Sequence, residues 1–181
     1  MHLLIDIGHP GHVHYFRNLI KILEAHNNQV MVISRDKEVT FELLRYYKIP
    51  FKSRGKGGKS FTGKLFYMLY AVILIFKIGL KFKPDVIISF SSPYASLAGF
   101  FLRCPSIVLD DTEVGRFERY IYKPFSNLII TPKVFLKNLG KKQFRFDGFM
   151  ELAYIIPVVK EKAKENFRII ENFVSKEIKV L

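Results

Sequence analysis

The chain has 181 residues, the size of one domain with a substantial core. Its composition is 49% hydrophobic, with 18 Phe and 9 Tyr, which excludes an intrinsically disordered chain. The net charge of +13 indicates an anionic partner: a phosphorylated substrate, an acidic lipid or a nucleic acid. A single cysteine, Cys104, excludes an intramolecular disulfide and a cysteine-based zinc site. The first residues lack the basic and apolar regions of a signal peptide, so we expect a cytoplasmic location.

Short apolar runs that alternate with helical patterns predict βαβ units, and therefore a single α/β domain with a mostly parallel sheet. We expect strands at 3–7, 30–33, 49–52, 85–90, 106–109, 128–131 and 144–146. The first helix is expected to end at Asn27 and Asn28, and others to span about 36–47 and 94–102. In the second helix, Asp36 is the expected cap, with Val39, Leu43 and Leu44 on the inner face. Residues 1–156 are predicted as the domain, and residues 157–181 as a C-terminal amphipathic helix and tail.

A basic, glycine-rich segment at residues 52–60 interrupts this alternation. It superficially resembles a Walker A loop, but Ser53 stands where that motif needs its first glycine, which excludes a P-loop. Two interpretations stay open: a flexible loop that contacts phosphate, or a solvated loop.

A second interruption is the apolar segment 65–82, which is unbroken from Leu65 to Phe76. This run is shorter than the roughly 20 residues that span a bilayer. Lysines flank it on both sides, at positions 56, 59, 64, 77, 81 and 83. We expect a crossover helix with one face on the sheet and an aromatic and basic patch that contacts an anionic membrane. A fully buried crossover helix is the alternative.

The segment Gly8-His9-Pro10-Gly11-His12-Val13-His14 directly follows the first predicted strand. Glycines let the backbone approach a ligand, and the N-terminus of the next helix favours an anion. A turn with no ligand is the alternative. Ser91, Ser92 and Tyr94 follow the fourth predicted strand, and Asp111 and Glu113 follow the fifth. Because ligands of open α/β sheets bind at the carboxyl ends of the strands, we expect these loops to form one crevice.

Three motifs resemble the DUF354 family of archaeal and bacterial proteins, which is related to GT-B glycosyltransferases and non-hydrolysing UDP-N-acetylglucosamine 2-epimerases. They are DIGHPGHVHYFR at 6–17, DDTE at 110–113 and GFMELAY at 148–154. The order of the loops also resembles the N-terminal half of the bacterial lipid II-forming N-acetylglucosaminyltransferases. There, a glycine-rich loop ending in Gly-His matches Gly11 and His12, and a small-residue loop with a tyrosine loosely matches residues 91–96.

The resemblance covers residues 1–156 and implies a Rossmann-like domain equivalent to the N-terminal half of a GT-B enzyme. In that family the UDP-sugar donor sits mainly on the C-terminal half, so no cofactor is expected on this chain. A separate C-terminal-half glycosyltransferase subunit is the expected partner, as in the eukaryotic two-subunit enzyme that acts on dolichol-linked sugar. The acceptor is expected to be a lipid phosphate or another phosphorylated molecule. The chain is expected to bind peripherally to the inner face of the membrane.

The resemblance also suggests roles for the loop residues. His12 is the expected general base toward an acceptor hydroxyl, because imidazole titrates near neutral pH. Asp111 and Glu113 would orient the acceptor or His12, and helix capping by Asp110 or Thr112 is the alternative. The acceptor and its phosphate are expected to contact Gly8, His9, Gly11, His14, Ser91, Ser92 and Tyr94.

Three other hypotheses remain. A sugar-nucleotide epimerase-like half would have the same fold, but those enzymes carry an arginine soon after the first strand, and here the first is Arg17, inside the helix. A non-catalytic basic adaptor would bind membrane or nucleic acid; scattered charges and the lack of a nucleic-acid motif make nucleic acid the weaker partner. A metal site on His9, His12, His14 and Asp6 rests on spacing alone, so we expect none.

Overall fold

A parallel sheet of seven strands forms the centre of the chain in the computed structural model, which describes residues 1–58, 60–114 and 116–155. The strands lie in the order β3-β2-β1-β4-β5-β6-β7, and every neighbouring pair is parallel. The strands are β1 His2–Ile7, β2 Gln29–Ser34, β3 Phe51–Ser53, β4 Val86–Phe90, β5 Ser106–Leu109, β6 Leu128–Pro132 and β7 Gln143–Phe146. The helices are α1 Pro10–Ala25, α2 Thr40–Tyr46, α3 Phe61–Phe82, α4 Pro93–Leu102, α5 Arg116–Phe125 and α6 Leu152–Ile155. The predicted α/β fold with a parallel sheet is confirmed.

The strand order reverses between β1 and β4. From β1 the chain runs outward through β2 to β3, and α3 then carries it back to β4 on the other side of β1. The loops that follow β1 and β4 therefore diverge and leave a crevice at the carboxyl ends of these strands, where open α/β sheets bind ligands.

Helices cover both faces of the sheet. Because side chains alternate along a strand, Leu3, Ile5 and Ile7 of β1 join the core on the α1 face, whereas Leu4 joins the core formed with α3 and α4. On the first face α1 packs against α2 and α6, and on the second face α3, α4 and α5 pack in series. The same alternation directs Asp6 toward α3 and α4 at the end of β1.

The second helix is shorter than predicted. It begins at Thr40, and its N-cap residue, Val39, makes no side-chain capping bond. Asp36 does not cap it, because its carboxylate lies 3.8 Å from the Lys56 ammonium and its backbone N–H donates to the Gly55 carbonyl. Glu38, with a φ of 50°, interrupts the helical backbone before Val39. Val39 is exposed, contrary to expectation, whereas Leu44 is buried as predicted.

The fifth helix was not predicted. Its buried side chains are Arg119 and Tyr122, whereas Phe117 and Tyr120 are exposed. The buried positions of this helix therefore hold no aliphatic residues, so its amphipathic pattern is not the usual one of aliphatic residues at helical spacing. The predicted C-terminal helix and tail at 157–181 and the predicted domain boundary after residue 156 lie outside the described residues.

The apolar segment forms α3, the crossover helix predicted between β3 and β4. It has 22 residues and extends beyond the unbroken apolar run at both ends, so its length and composition suffice for a membrane-crossing helix. Only 28% of its most apolar stretch is buried inside the protein. Tyr67, Ala71, Ile75 and Gly79 are its buried residues, one every four positions, and they form the single stripe that faces the sheet.

Candidate functional site

A buried ion pair lies at the crevice where β1 ends. Asp6 and Arg54 are each 1% exposed. The Arg54 Nε donates to Asp6 Oδ1 at 2.8 Å, and Nη2 lies 3.4 Å from Oδ2. Ser92 Oγ donates to the same Oδ2 at 2.5 Å. This pair therefore connects the ends of β1 and β3 with the start of α4.

Two tyrosines complete the surroundings of Arg54. Its Nη1 donates to the hydroxyl of Tyr67 on α3, and its Cζ lies 4.9 Å from the centre of the Tyr94 ring on α4. Burial alone would lower the pKa of Arg54, but Asp6 and Tyr67 raise it above its ordinary value. Burial also raises the pKa of both tyrosines, against the opposing effect of Arg54, so both are neutral phenols at pH 7. Arg54 is thus a fixed structural cation, not part of a solvated loop.

The glycine and histidine loop after β1 satisfies its own backbone. His9 is the N-cap of α1, and its Nδ1 accepts from the Gly11 N–H at 3.2 Å. The Gly8 N–H donates to His12 Nδ1 at 3.3 Å, and the His12 N–H donates to the His9 carbonyl at 3.0 Å. Pro10 has no N–H to offer. The loop therefore has few free backbone donors, and an anion at this edge has to be bound mainly by side chains.

His12 is neutral at physiological pH. Burial, followed by the nearby charges of His9, Arg54 and Lys37, lowers its pKa to about 3. Its ring stacks on Phe90 with the centroids 4.6 Å apart. Because Nδ1 accepts the Gly8 N–H, the ring proton is assigned to Nε2. In this tautomer His12 offers a hydrogen-bond donor to a ligand, whereas the predicted general base requires a free ring acceptor.

His14 lies away from His12. Two residues along a helix turn the side chain by about 200°, and the His14 ring contacts Tyr47 and Tyr154 on the α2 and α6 side. Since Asp6 is paired with Arg54, the hypothetical three-histidine metal site does not form. In residues 1–58, 60–114 and 116–155, no group of three or more His, Cys, Asp and Glu residues is arranged to hold a metal.

The loop after β4 joins the same crevice. Ser92 caps α4 by accepting from the Ala95 N–H at 3.3 Å while it donates to Asp6. Ser91, with a φ of 48°, instead turns its hydroxyl toward Asp110 at 2.9 Å. A Cβ atom on Gly8 would lie 3.4 Å from Arg54 Nη2 and 3.8 Å from His12 Cε1. The structure therefore brings Gly8, His12, Ser92 and Tyr94 together around Arg54.

The acidic loop after β5 is held by other contacts. Asp110 is buried and accepts from the Ser91 hydroxyl, the Thr112 N–H at 3.0 Å, the Arg119 Nε at 3.3 Å and the Tyr122 hydroxyl. Glu113 accepts from the Leu136 N–H at 2.8 Å and so fixes the loop between β6 and β7. In the part of the chain that the structure describes, no hydrogen bond or ion pair joins Asp111 or Glu113 to His12.

Asp111 is a half-buried carboxyl group whose pKa is raised. Burial, together with Glu151 and Asp110, raises its pKa, although a hydrogen bond from Thr112 opposes the shift. Asp111 and Glu151 also contribute, after burial, to raising the pKa of Tyr15 to about 12. Tyr15 stacks on Phe90 at 5.1 Å, the same ring that carries His12. Phe90 thus connects the His12 side of the crevice with the acidic side.

A family model described as "Protein of unknown function (DUF354)" matches residues 1–180. The chain belongs to the DUF354 family. An uncharacterized protein of Methanocaldococcus jannaschii, MJ0665, is 30% identical over 156 residues, which are 83% of this chain and 46% of that protein. The family resemblance seen in three short motifs is therefore confirmed, and this chain spans less than half the length of that relative.

Solved structures of GT-B proteins share the fold of this DUF354 chain. The UDP-GlcNAc 2-epimerase of Neisseria meningitidis, solved with UDP-GlcNAc bound, superposes with a TM-score of 0.70 at 16% identity, over 95% of this chain and 53% of that one. MurG of Acinetobacter baumannii superposes with a TM-score of 0.61 at 18% identity, over 72% of this chain and 41% of that one. The chain therefore has the fold of about half of such a protein.

Proposed function

We propose that this chain is the acceptor-binding half of a GT-B-type glycosyltransferase that acts on a lipid-linked or phosphorylated acceptor. A second polypeptide, a C-terminal-half subunit, would bind the UDP-sugar donor. One observation carries the proposal: α3 exposes an apolar surface, and its buried Tyr67 accepts a hydrogen bond from Arg54 in the crevice. A lipid-linked acceptor needs a membrane-contacting surface next to a polar site. The exposed face of α3 offers the first, and Tyr67 on its buried face is part of the second.

The surface that would contact the membrane is the outer face of α3. Phe66 is 72% exposed and Leu69 is 54% exposed, and Leu65, Tyr70 and Ile73 are exposed beside them. Phe100 and Phe101 continue the apolar surface on the neighbouring α4. Lysines at both ends of α3 add the positive charge that an anionic, cytoplasmic membrane face attracts. Together these features favour peripheral binding with the crevice held near the lipid headgroups.

In the proposed reaction, an acceptor hydroxyl attacks the anomeric carbon of the sugar, and the nucleoside diphosphate leaves with the bonding electrons. His12, with its proton on Nε2, would donate a hydrogen bond to an acceptor oxygen. Asp111 would take the proton of the attacking hydroxyl, since burial raises its pKa and improves it as a base. Glu113 would act indirectly, by fixing the loop between β6 and β7.

The membrane contact is tested with the full-length chain and sedimenting vesicles. Vesicles of neutral lipid, of anionic lipid, and of anionic lipid with a polyprenyl diphosphate are compared. We expect anionic vesicles to bind the chain, and the double variant Phe66→Ser/Leu69→Ser to bind them at least about tenfold more weakly, because burying each side chain is worth about 1.5–3 kcal/mol. Leu136→Ser, which changes a still more exposed leucine in the loop between β6 and β7, is the control.

Binding that the double variant retains would overturn the assignment of α3 to the membrane. Equal binding to anionic vesicles with and without the polyprenyl diphosphate would favour a non-catalytic basic adaptor instead. Enhanced binding to the diphosphate lipid would support an acceptor half.

A sugar-nucleotide epimerase-like half is the second candidate. The observation that favours it is the pair of nearby carboxyl groups, Asp111 and Glu151, the first with a raised pKa. Such a pair suits proton transfer at a sugar carbon. The two candidates differ in their products: with a donor-binding half and UDP-N-acetylglucosamine, a transferase makes a glycosylated lipid, whereas an epimerase changes the sugar nucleotide without any lipid.

A further inference from the structure

We propose that Arg35 is the residue that binds the phosphoryl group of the ligand. The crevice then takes that group on a guanidinium at the end of β2, not on the backbone of the loop after β1. The inference rests on the proposed function for the origin of the phosphoryl group, a lipid-linked acceptor. The site itself rests on the geometry and charge around Arg35.

Arg35 directly follows β2, next to the start of the loop after β1. Its backbone N–H donates to the Ile7 carbonyl at 2.9 Å. Its Cζ lies 5.6 Å from the centre of the Tyr67 ring, the tyrosine that also accepts from Arg54. A Cβ atom on Gly57 would lie 1.9 Å from Arg35 Nη2. The glycine-rich segment and α3 thus hold the guanidinium from two sides.

This guanidinium has no acidic partner among the residues that the structure describes. Its Nε is buried and donates to no acceptor in the described part of the chain. A buried donor without an acceptor is destabilising, and such groups are rare unless a ligand or a water satisfies them. Arg54 differs, because Asp6 and Tyr67 already accept from it. The two arginines therefore have different tasks, and Arg35 is the one free for a ligand.

Three carboxylates at this edge of the sheet form ion pairs with basic side chains other than Arg35. Asp6 pairs with Arg54. Asp36 lies 3.8 Å from Lys56 and Glu38 lies 3.7 Å from Lys37, each measured between the charged groups. Arg35 therefore adds positive charge to the crevice that no acid in the described residues balances.

Two tyrosines of the crevice respond to this positive charge. Burial raises the pKa of Tyr67 and Tyr94, and Arg35 acts with Arg54 to oppose that rise. A phosphoryl group supplies two or more oxygens to the planar fork of an arginine. The loop after β1 uses the N–H groups of Gly8, Gly11 and His12 internally, so Arg35 is the main cationic donor left to such a group.

The test is calorimetric titration of the full-length chain at physiological salt with inorganic pyrophosphate, geranyl diphosphate and UDP. We expect Arg35→Lys and Arg35→Gln to weaken geranyl diphosphate binding by about 10- to 100-fold, since hydrogen bonds to charged groups are strong and a lysine lacks the fork. Gly57→Ala keeps every charge but displaces the guanidinium, so it should also weaken binding. The matched control is Arg45→Gln, because Arg45 also lies over an aromatic ring, that of Phe41, but on the exposed side of α2.

Thermal unfolding of each variant, followed by circular dichroism, checks that the fold is intact. Geranyl diphosphate binding by a folded Arg35→Gln variant within twofold of the wild-type chain would overturn the inference. If geranyl diphosphate binds more tightly than pyrophosphate, the ligand that carries the phosphoryl group is a lipid. If the two bind equally, it is a free phosphate compound. If the chain does not sediment with anionic vesicles but binds geranyl diphosphate in a way that depends on Arg35, the membrane proposal is refuted and this site is supported.

Discussion

The buried pair of Asp6 and Arg54 gives the sharpest stability prediction. Arg54→Met keeps a long apolar side chain but removes the two donors to Asp6 and the donor to Tyr67. Asp6 then stays buried with one strong partner, the Ser92 hydroxyl. Breaking a buried ion pair by removing one partner destabilises a protein by about 3–5 kcal/mol.

That loss is a large part of the stability of a domain, which is about 5–15 kcal/mol in total. For a chain of this size, each 1 kcal/mol lowers the thermal midpoint by about 2–4 °C, so we expect a decrease of about 6–20 °C. The loss is measured by urea unfolding followed by far-ultraviolet circular dichroism, because the chain contains no tryptophan.

The control is Lys133→Met, which removes one partner of the exposed ion pair with Asp147, whose charged groups lie 3.1 Å apart. Exposed pairs contribute about 0–1 kcal/mol, so this variant should be nearly as stable as the wild-type chain. The double variant Asp6→Leu/Arg54→Met should recover part of the loss, since an apolar pair leaves no charge buried alone. The reasoning is refuted if Arg54→Met loses no more than Lys133→Met.

Three further predictions concern His12 and the donor. Folding lowers the pKa of His12 from 6.5 to about 3, so on acidification the unfolded chain binds a proton at His12 before the folded chain does. The free energy of unfolding should therefore fall between pH 6.5 and 3, by at most about 2 kcal/mol at pH 5. In parallel urea titrations the His12→Gln variant should lose less unfolding free energy than the wild-type chain over this pH range. Identical losses would contradict the lowered pKa of His12. In the enzyme completed by a donor-binding half, His12→Ala should lower kcat by about 10²–10³, because it removes the proposed hydrogen bond to the acceptor oxygen, and unchanged turnover would remove His12 from the mechanism. Titration of the chain alone with UDP-N-acetylglucosamine should give no micromolar binding, because one half supplies only one wall of the crevice; binding with turnover of a lipid phosphate would refute the half-enzyme proposal.

The sheet and the crevice at the carboxyl ends of its strands are predictable from the sequence. The apolar runs of β1 and β4 are too apolar for an exposed strand, and parallel strands need helical crossovers between them. Once these elements are ordered, the loops after β1 and β4 have to meet at one crevice. Gly8, His12, Ser92 and Tyr94 lie at this crevice because each is within five positions of the end of β1 or β4.

The partners across the crevice are not predictable in the same way. Arg54 lies in a segment of glycines, lysines and serines, a composition typical of a solvated loop, and its burial depends on Asp6, which lies 48 positions earlier in the chain. An acidic residue inside the buried strand LLIDI was the available signal, since a buried charge needs a partner. The sequence alone offers several basic residues for that partner. Only the parallel pairing of β1, β2 and β3 brings residue 54 to it.

The same contacts imply that the outer face of α3 and the crevice move as one body. Tyr67 is on the buried stripe of α3, its hydroxyl is bonded to Arg54, and its ring lies beneath Arg35. Arg54 is in turn fixed to Asp6 on β1, which packs in the core of the domain. A rotation of α3 would break these bonds, so a membrane that binds the exposed face of α3 also sets the orientation of the crevice. In the proposed acceptor complex, the geometry of this half would then determine how close the lipid-linked phosphoryl group lies to Arg35.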